Sequence, residues 1–468
     1  MKTRSGNPPR VATLSPADRR PAADRLAEGR ALRDRVPRTS HAGWRRPPHR
    51  RNPVDILIET SKGRLPELLP IRYGRMLQSP FTFYRGAAAI MAAHLSTTPA
   101  TGIRVQACGD CHLVNFGGFA TPERRILFDL NDFDETLPAP WEWDVKRLAA
   151  SFVVASRSNG FSARDAREAA AACGRSYREH MSELASMRAL DVWYRSLDVE
   201  ALLARLRDDV DRRRARKNLE KARAKNVAED DFPKLVDVAG TTPRIRENRP
   251  LIYHPAEADA EKFERNVKKA FASYHATLSD DRRVLLDRYE IKDFSLKVVG
   301  VGSVGTFCGI LLMQAGPNDP LFLQVKEART SVFEPFAGRS AYPNHGQRVV
   351  AGQRLMQSAS DAFLGWTEGD AGRHFYLRQL RDMKMKPIVE VFSASIMVNY
   401  AEICGWVLAR AHARSGDAVK IAAYLGKRPR FDKALADFSV AYADQNELDH
   451  QALVDAVRNG RVEAAAER

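Results

Sequence analysis

The spacing of the apolar residues changes once along the chain, and no other feature constrains the fold as much. Up to about residue 228 the apolar positions recur at helical spacing. Residues 53–61 and 65–77 read as short helices, and 86–95 as an Ala-rich helix ended by the Thr-Thr-Pro turn at Thr97. Asp144 opens an amphipathic helix with Val145, Leu148, Phe152 and Val153 on one face, and helices over 162–187 and 199–225 follow. Only 103–107 and 125–130 read as strands in this half. From Phe294 the pattern changes: 294–300, 307–313 and 321–326 are strand-like runs joined by a Gly turn and by Gly316-Pro317-Asn318-Asp319-Pro320. A helix over 347–364, a strand over 374–380, an apolar helix over 395–414 and a last helical stretch over 431–457 complete the chain. The expectation is an α+β chain of two lobes, a helical lobe first and a small, mostly antiparallel sheet lobe second. Its expected divisions are 1–53, 54–228, 229–290 (a linker and helix), 291–390 (the sheet lobe) and 391–468 (helices returning to the first lobe).

Composition supports a chain with a full core. With 468 residues, 44% of them hydrophobic, neither a small disulfide scaffold nor a wholly disordered chain is expected. The formal charge of +16 invites a nucleic-acid reading, but 14 basic and four acidic residues fall within 1–53, so ten of those sixteen charges lie there. This Arg/Pro-rich segment has few large apolar residues and is expected to be a flexible arm. The helical stretch 205–225 is also dense in Arg and Lys and reads as a solvated face. No run of about eighteen apolar residues occurs, so no membrane partner is expected. The start lacks the apolar core of a secretory signal, although its Arg-rich, acid-poor character could mimic a transit peptide. Five cysteines, an odd number, predict free thiols and a cytoplasmic protein; Cys108 and Cys111 have no second pair at zinc-ligand spacing and read as incidental.

Two regions hold the residue types that chemistry needs. Gly109-Asp110-Cys111-His112-Leu113-Val114-Asn115 places an Asp, a His and an Asn in a loop between short strands. An Asp can orient an attacking hydroxyl while an Asn five residues on holds magnesium. Downstream, Asp129, Asp132, Asp134 and Glu135 crowd four carboxylates within seven positions, which repel one another unless a cation such as Mg2+ neutralises them; a solvated acidic turn is the bland alternative. In the second half, Gly300-Val301-Gly302-Ser303-Val304-Gly305 is a G-x-G-x-x-G. A dinucleotide-binding turn would need a helix next, whereas strand-like sequence follows and ends at Lys326. A hairpin covering nucleotide phosphates, with a lysine pairing to them, suits this order better.

The run Gly109 to Asn115 and the following Asp132-Phe133-Asp134 resemble the catalytic and metal loops of aminoglycoside and choline kinases, within the protein-kinase-like superfamily. Residues 71–76, 128–147 and 347–357 resemble more closely a bacterial family, domain of unknown function 2252, over about 36–442. The kinase resemblance implies a bilobal protein-kinase-like fold, circularly permuted because the Gly loop and lysine follow the catalytic loop. It implies an ATP- and magnesium-dependent phosphotransferase acting on a hydroxyl or carboxylate of a small-molecule or protein acceptor. Asp110 and His112 fall on the catalytic loop, with Asp110 as the base; Asn115 and Asp132 fall on the metal ligands, with Asp134 or Asp129 as a further carboxylate. Gly300, Gly302, Ser303 and Gly305 fall on the phosphate cover, and Lys326 on the phosphate-pairing lysine. Residues 347–360 hold no acidic partner for that lysine, and Glu334 is the nearest available. Residues 376–380 fall on the strand leading to the adenine hinge, and Arg378, Arg381 and Lys384 could meet phosphate. Arg72, Arg75 and Arg85 either face the acidic loops or form surface salt bridges. A catalytically silent nucleotide-binding regulator is the first alternative. A nucleic-acid-binding protein using the basic arm is the second.

Overall fold

The computed structural model describes residues 11–47, 49–203, 213, 216–217, 219–221, 232–238, 243–254, 260–298, 300–380 and 383–465. Most of the basic stretch 205–225 lies outside the described residues, as does Arg381. The chain has mixed α+β structure, with helices dominating the first half and the last seventy-odd residues and the largest sheet between them.

The core is built around the helix Trp141–Ser158, which is buried on every face from Trp141 to Ser156. Three long helices enclose it: Ala163–Ala185, Ala394–Ser415 and Arg430–Arg458. Small residues set their spacing. A Cβ on Gly405 would lie 2.4 Å from the carbonyl oxygen of Cys173, so helices Ala163–Ala185 and Ala394–Ser415 touch backbone to backbone. Two hairpin-like pairs sit on this helical body. Strands β1 (Arg104–Ala107) and β4 (Leu137–Pro140) are antiparallel, and between them in the chain β2 (Phe116–Ala120) pairs with β3 (Ile126–Leu130).

A short pair, β5 (Val236–Asp237) and β6 (Arg244–Ile245), precedes a six-stranded antiparallel sheet. The sheet is formed by β7 (Ile252–Tyr253), β8 (Glu290–Lys297), β9 (Cys308–Gly316), β10 (Asp319–Ala328), β11 (Gly365–Glu368) and β12 (His374–Gln379), in the order β11-β12-β10-β9-β8-β7. Alternation along β10 decides the site. Leu321 and Leu323 turn toward helices Ala260–His275 and Asp280–Leu286, while Lys326, opposite Tyr376 and Cys308, turns toward the helical body. The helix His345–Met356 starts where Asn344 accepts a hydrogen bond from Gln347 N, and it stops eight residues short of the expected end.

The N-terminal segment differs from expectation, because it is folded where described. Helix Ala22–Arg35 packs on Ala418–Leu425 through small residues; a Cβ on Gly29 would lie 2.5 Å from the Lys420 carbonyl oxygen. Its arginines are consumed at that helix's C-terminus: Arg33 donates to Tyr424 O (2.9 Å) and Ala423 O, and Arg38 to Leu425 O (2.7 Å). Cations are favourable at the negative end of a helix, so a segment poor in apolar residues docks by polar capping instead. All five cysteines are free and buried, and no described helix is long and apolar enough to cross a membrane.

Candidate functional site

The loop after β1 is shaped by Gly109, whose φ of +91° and contact with Glu135 O leave no room for a side chain. Asp144, expected to cap its helix, lies within the first turn and reaches back to this loop. Its carboxylate accepts from Cys108 N (2.6 Å) and Gly109 N (3.0 Å), with His412 Nε2 3.3 Å away and Tyr177 OH behind it, 2.9 Å from His412 Nδ1. Asp110 Oδ1 accepts from Arg147 Nε (2.7 Å) and NH2, and the Arg147 guanidinium lies 4.6 Å from the centre of the Tyr84 ring. Burial pushes the Asp110 carboxyl up from its ordinary value and Arg147 opposes that. The other oxygen, Oδ2, has His112 Nε2 3.9 Å away. Burial keeps His112 well below its ordinary value, hence neutral. Asn115 Nδ2 donates to Asp110 O (2.7 Å), which holds its amide over the loop.

The four clustered acids separate into different roles. Asp129 is buried and bound by Arg410 (2.5 Å), Ser358 N (2.9 Å), Ser358 Oγ (2.8 Å) and Leu130 N (2.9 Å), so it holds helices to β3 and does not face the cleft. Asp134 Oδ2 accepts from Lys326 Nζ (2.7 Å) and Ser303 Oγ (3.3 Å), and Asp134 Oδ1 from Tyr376 OH (2.6 Å). Against the effect of burial, Lys326 and Tyr376 hold Asp134 below the usual carboxylate range, while burial and Asp134 push Asp132 up. Asp132 Oδ2 is 3.7 Å from Lys326 Nζ. The acidic partner of the lysine is therefore Asp134 from the helical half. Glu334 instead lies 3.9 Å from His345. Burial pushes Glu135 up to about 7, and its Oε2 accepts from Val332 N (2.7 Å).

These groups meet in a cleft of about 260 Å³ between the helical body and the sheet. Asp110, His112, Asn115, Asp132, Asp134, Gly300, Gly302 and Ser303 all line it. Gly305 does not; its carbonyl accepts from Leu65 N (2.7 Å). Positive φ at Gly300 (+68°) and Gly305 (+82°) turns the loop, and Arg64 and Arg75 donate to its carbonyls. Asn115, Asp132 and Asp134 supply oxygen donors only. One or two carboxylates is what magnesium takes from a protein when water and phosphate complete its shell, so the set fits that ion. Among the described residues no three His, Cys, Asp or Glu side chains gather into a metal-holding group.

Residues 64–456 match the family model described as an uncharacterized protein conserved in bacteria (DUF2252). The chain belongs to this family. The DUF2252 match begins at Arg64, on the edge of the cleft, and covers every residue placed in the site above. No curated protein and no solved structure matches the chain.

Two groups escaped sequence reasoning. Arg147 follows Lys146 in a helix that also carries Glu142 and Asp144, and nothing in that local pattern singles out which cation meets Asp110. Tyr376 was read only as part of a strand; its hydroxyl role depends on a partner far away in the chain. Arg378, one of three cations that could meet phosphate, donates to Asn131 O (3.0 Å) and Gln324 Oε1 (3.1 Å).

Proposed function

We propose that the chain is an ATP- and magnesium-dependent phosphotransferase of bilobal, circularly permuted kinase-like type. The observation that carries this reading is the 2.7 Å contact between Lys326, from the sheet, and Asp134, from the helical half, beside a cleft that Asp134 lines together with Asp110, Asn115, Gly300, Gly302 and Ser303. Lys326 and the loop of Gly300, Gly302 and Ser303 would position the nucleotide phosphates. Asn115 and Asp132, with Asp134, would hold magnesium, which when bound supplies charge neutralisation on the phosphates. Asp110 has one oxygen anchored by Arg147 and the other directed to orient an acceptor hydroxyl. In transfer, the acceptor oxygen bonds to the γ-phosphorus, the bond from that phosphorus to the β–γ bridging oxygen breaks, ADP leaves, and the hydroxyl proton passes to Asp110. A carboxylate acceptor would need no proton transfer.

Thermal unfolding with Mg-ATP tests this. Wild type should gain several degrees, and Asp132→Ala and Lys326→Ala should each lose most of that gain. A wild type indifferent to Mg-ATP overturns the proposal. The contact of Lys326 with Asp134, without an acid from His345–Met356, favours one second reading, a silent nucleotide-binding regulator. That reading predicts the same stabilisation with no ADP formed in the presence of any acceptor.

A further inference from the structure

Four arginines line the cleft, and none forms an ion pair with a described carboxylate, although Asp110, Asp132, Asp134, Glu135 and Glu327 line it too. Arg72, on helix Leu69–Leu77, is 2% exposed; its NH1 donates to Ser61 Oγ (3.0 Å), and its Nε is buried with no acceptor. Arg64 gives Nε to Thr60 O (3.1 Å) and NH1 to Gly302 O (2.8 Å) and Val304 O (2.6 Å). Arg329, just past Lys326, donates to Thr60 O (3.3 Å) and Lys62 O. Arg85, near the end of helix Pro80–Gly86, makes no hydrogen bond or ion pair with a described residue, and its Nε is buried.

The nearby acids are turned elsewhere. Glu135 receives Val332 N, Glu327 receives Phe307 N, and Asp110 is bound by Arg147. Burial, and then the charges of Arg72 and Arg329, push Arg64 well below its ordinary value against the opposing charges of Glu135 and Glu327. Gathering guanidinium groups in a partly desolvated space is unfavourable unless an anion enters it, and planar guanidinium donors suit phosphate and carboxylate oxygens. Arg85 lines the same cleft as Asp110, the group that would orient an acceptor.

We propose that Arg64, Arg72, Arg85 and Arg329 form an anion subsite, and that it holds a phosphate or carboxylate borne by the acceptor, so that the molecule phosphorylated is itself a small anion. The assignment to the acceptor rests on the phosphotransfer reading; the subsite does not. The two can be separated by titrating the full chain calorimetrically with inorganic phosphate, with and without a saturating non-hydrolysable ATP analogue and magnesium. Wild type should bind phosphate, Arg85→Gln and Arg329→Gln should each weaken binding at least tenfold, and Arg85→Lys should stay within about threefold, showing that charge and not folding is read. The analogue should change phosphate affinity by less than about threefold. No binding by wild type, or equal binding by the Gln variants, overturns the subsite. Competition by the analogue of tenfold or more gives the arginines to the nucleotide's own phosphates and overturns the acceptor assignment. An analogue that does not bind, beside phosphate binding that still needs the arginines, removes the phosphotransfer reading and leaves the subsite standing.

Discussion

The Asp110–Arg147 pair depends on a single cation, and removing it leaves the carboxylate without a charge partner. Arg147 is 1% exposed and satisfies Asp110 through two donors. Arg147→Gln should therefore destabilise the chain by about 3 kcal/mol in urea unfolding, because it leaves a carboxylate buried without its cation. Arg147→Gln combined with Asp110→Asn should recover part of that loss. Histidines respond to pH with a definite sign. His94 Nε2 accepts from Arg50 Nε (2.7 Å), which requires the neutral ring, and Nδ1 lies 3.0 Å from Tyr442 OH. Burial lowers His94 to about 3 and His41 to about 2. The unfolded chain takes up these protons near pH 6.5 and the folded chain does not, so stability is complete above that pH and is lost as the pH falls. The loss should be about 1.4 kcal/mol per histidine by pH 5.5, while Glu135, raised to about 7, acts in the opposite sense over the same range. His94→Gln should remove one histidine's share of the change in unfolding free energy between pH 7.5 and 5.5.

Helices here pack where small residues allow, and strands sort side chains to opposite faces. Gly405 against Cys173 is the tightest of the central helix contacts described above, so Gly405→Val should cost about 3 kcal/mol through overpacking, read as a lower denaturation midpoint with an unchanged slope. Element positions were largely legible in the sequence. The helix Pro53–Ser61 starts and ends where expected, and the helices Ala394–Ser415 and Arg430–Arg458 match within a residue or so, because a long helical period survives any tertiary setting. Strands β2 and β4 were missed. Gly117 and Gly118 weaken the strand pattern of the first, and Pro138 and Pro140 that of the second, and both are held by partners that the local sequence does not name. The catalytic-type loop was legible as residue types, and its support was not: Asp144 was read as a cap, yet its carboxylate holds the loop thirty-five residues upstream.

At the scale of the whole molecule, the N-terminal segment is a brace. It ties residues 33–41 to helix Ala418–Leu425 through Arg33 and Arg38, and to Tyr424 through His41 at 2.7 Å. Deleting residues before Pro53 should lower the unfolding temperature by several degrees, and a deletion that leaves it unchanged would show that the brace contributes nothing. The sequence by itself determined the order of helical and strand-like stretches, the carboxylate cluster, the glycine loop and the family, since all of these are written in local spacing and residue type. Tertiary structure alone decided which charges meet. Lys326 finds Asp134 across 192 residues, Asp129 is withdrawn from the cleft by Arg410, and Arg33 and Arg38 of the basic arm are spent on carbonyl oxygens. The reason is physical: a charge is stabilised by whichever partner the fold brings within hydrogen-bond reach in a desolvated place, and that proximity is a property of packing and not of the chain's local pattern.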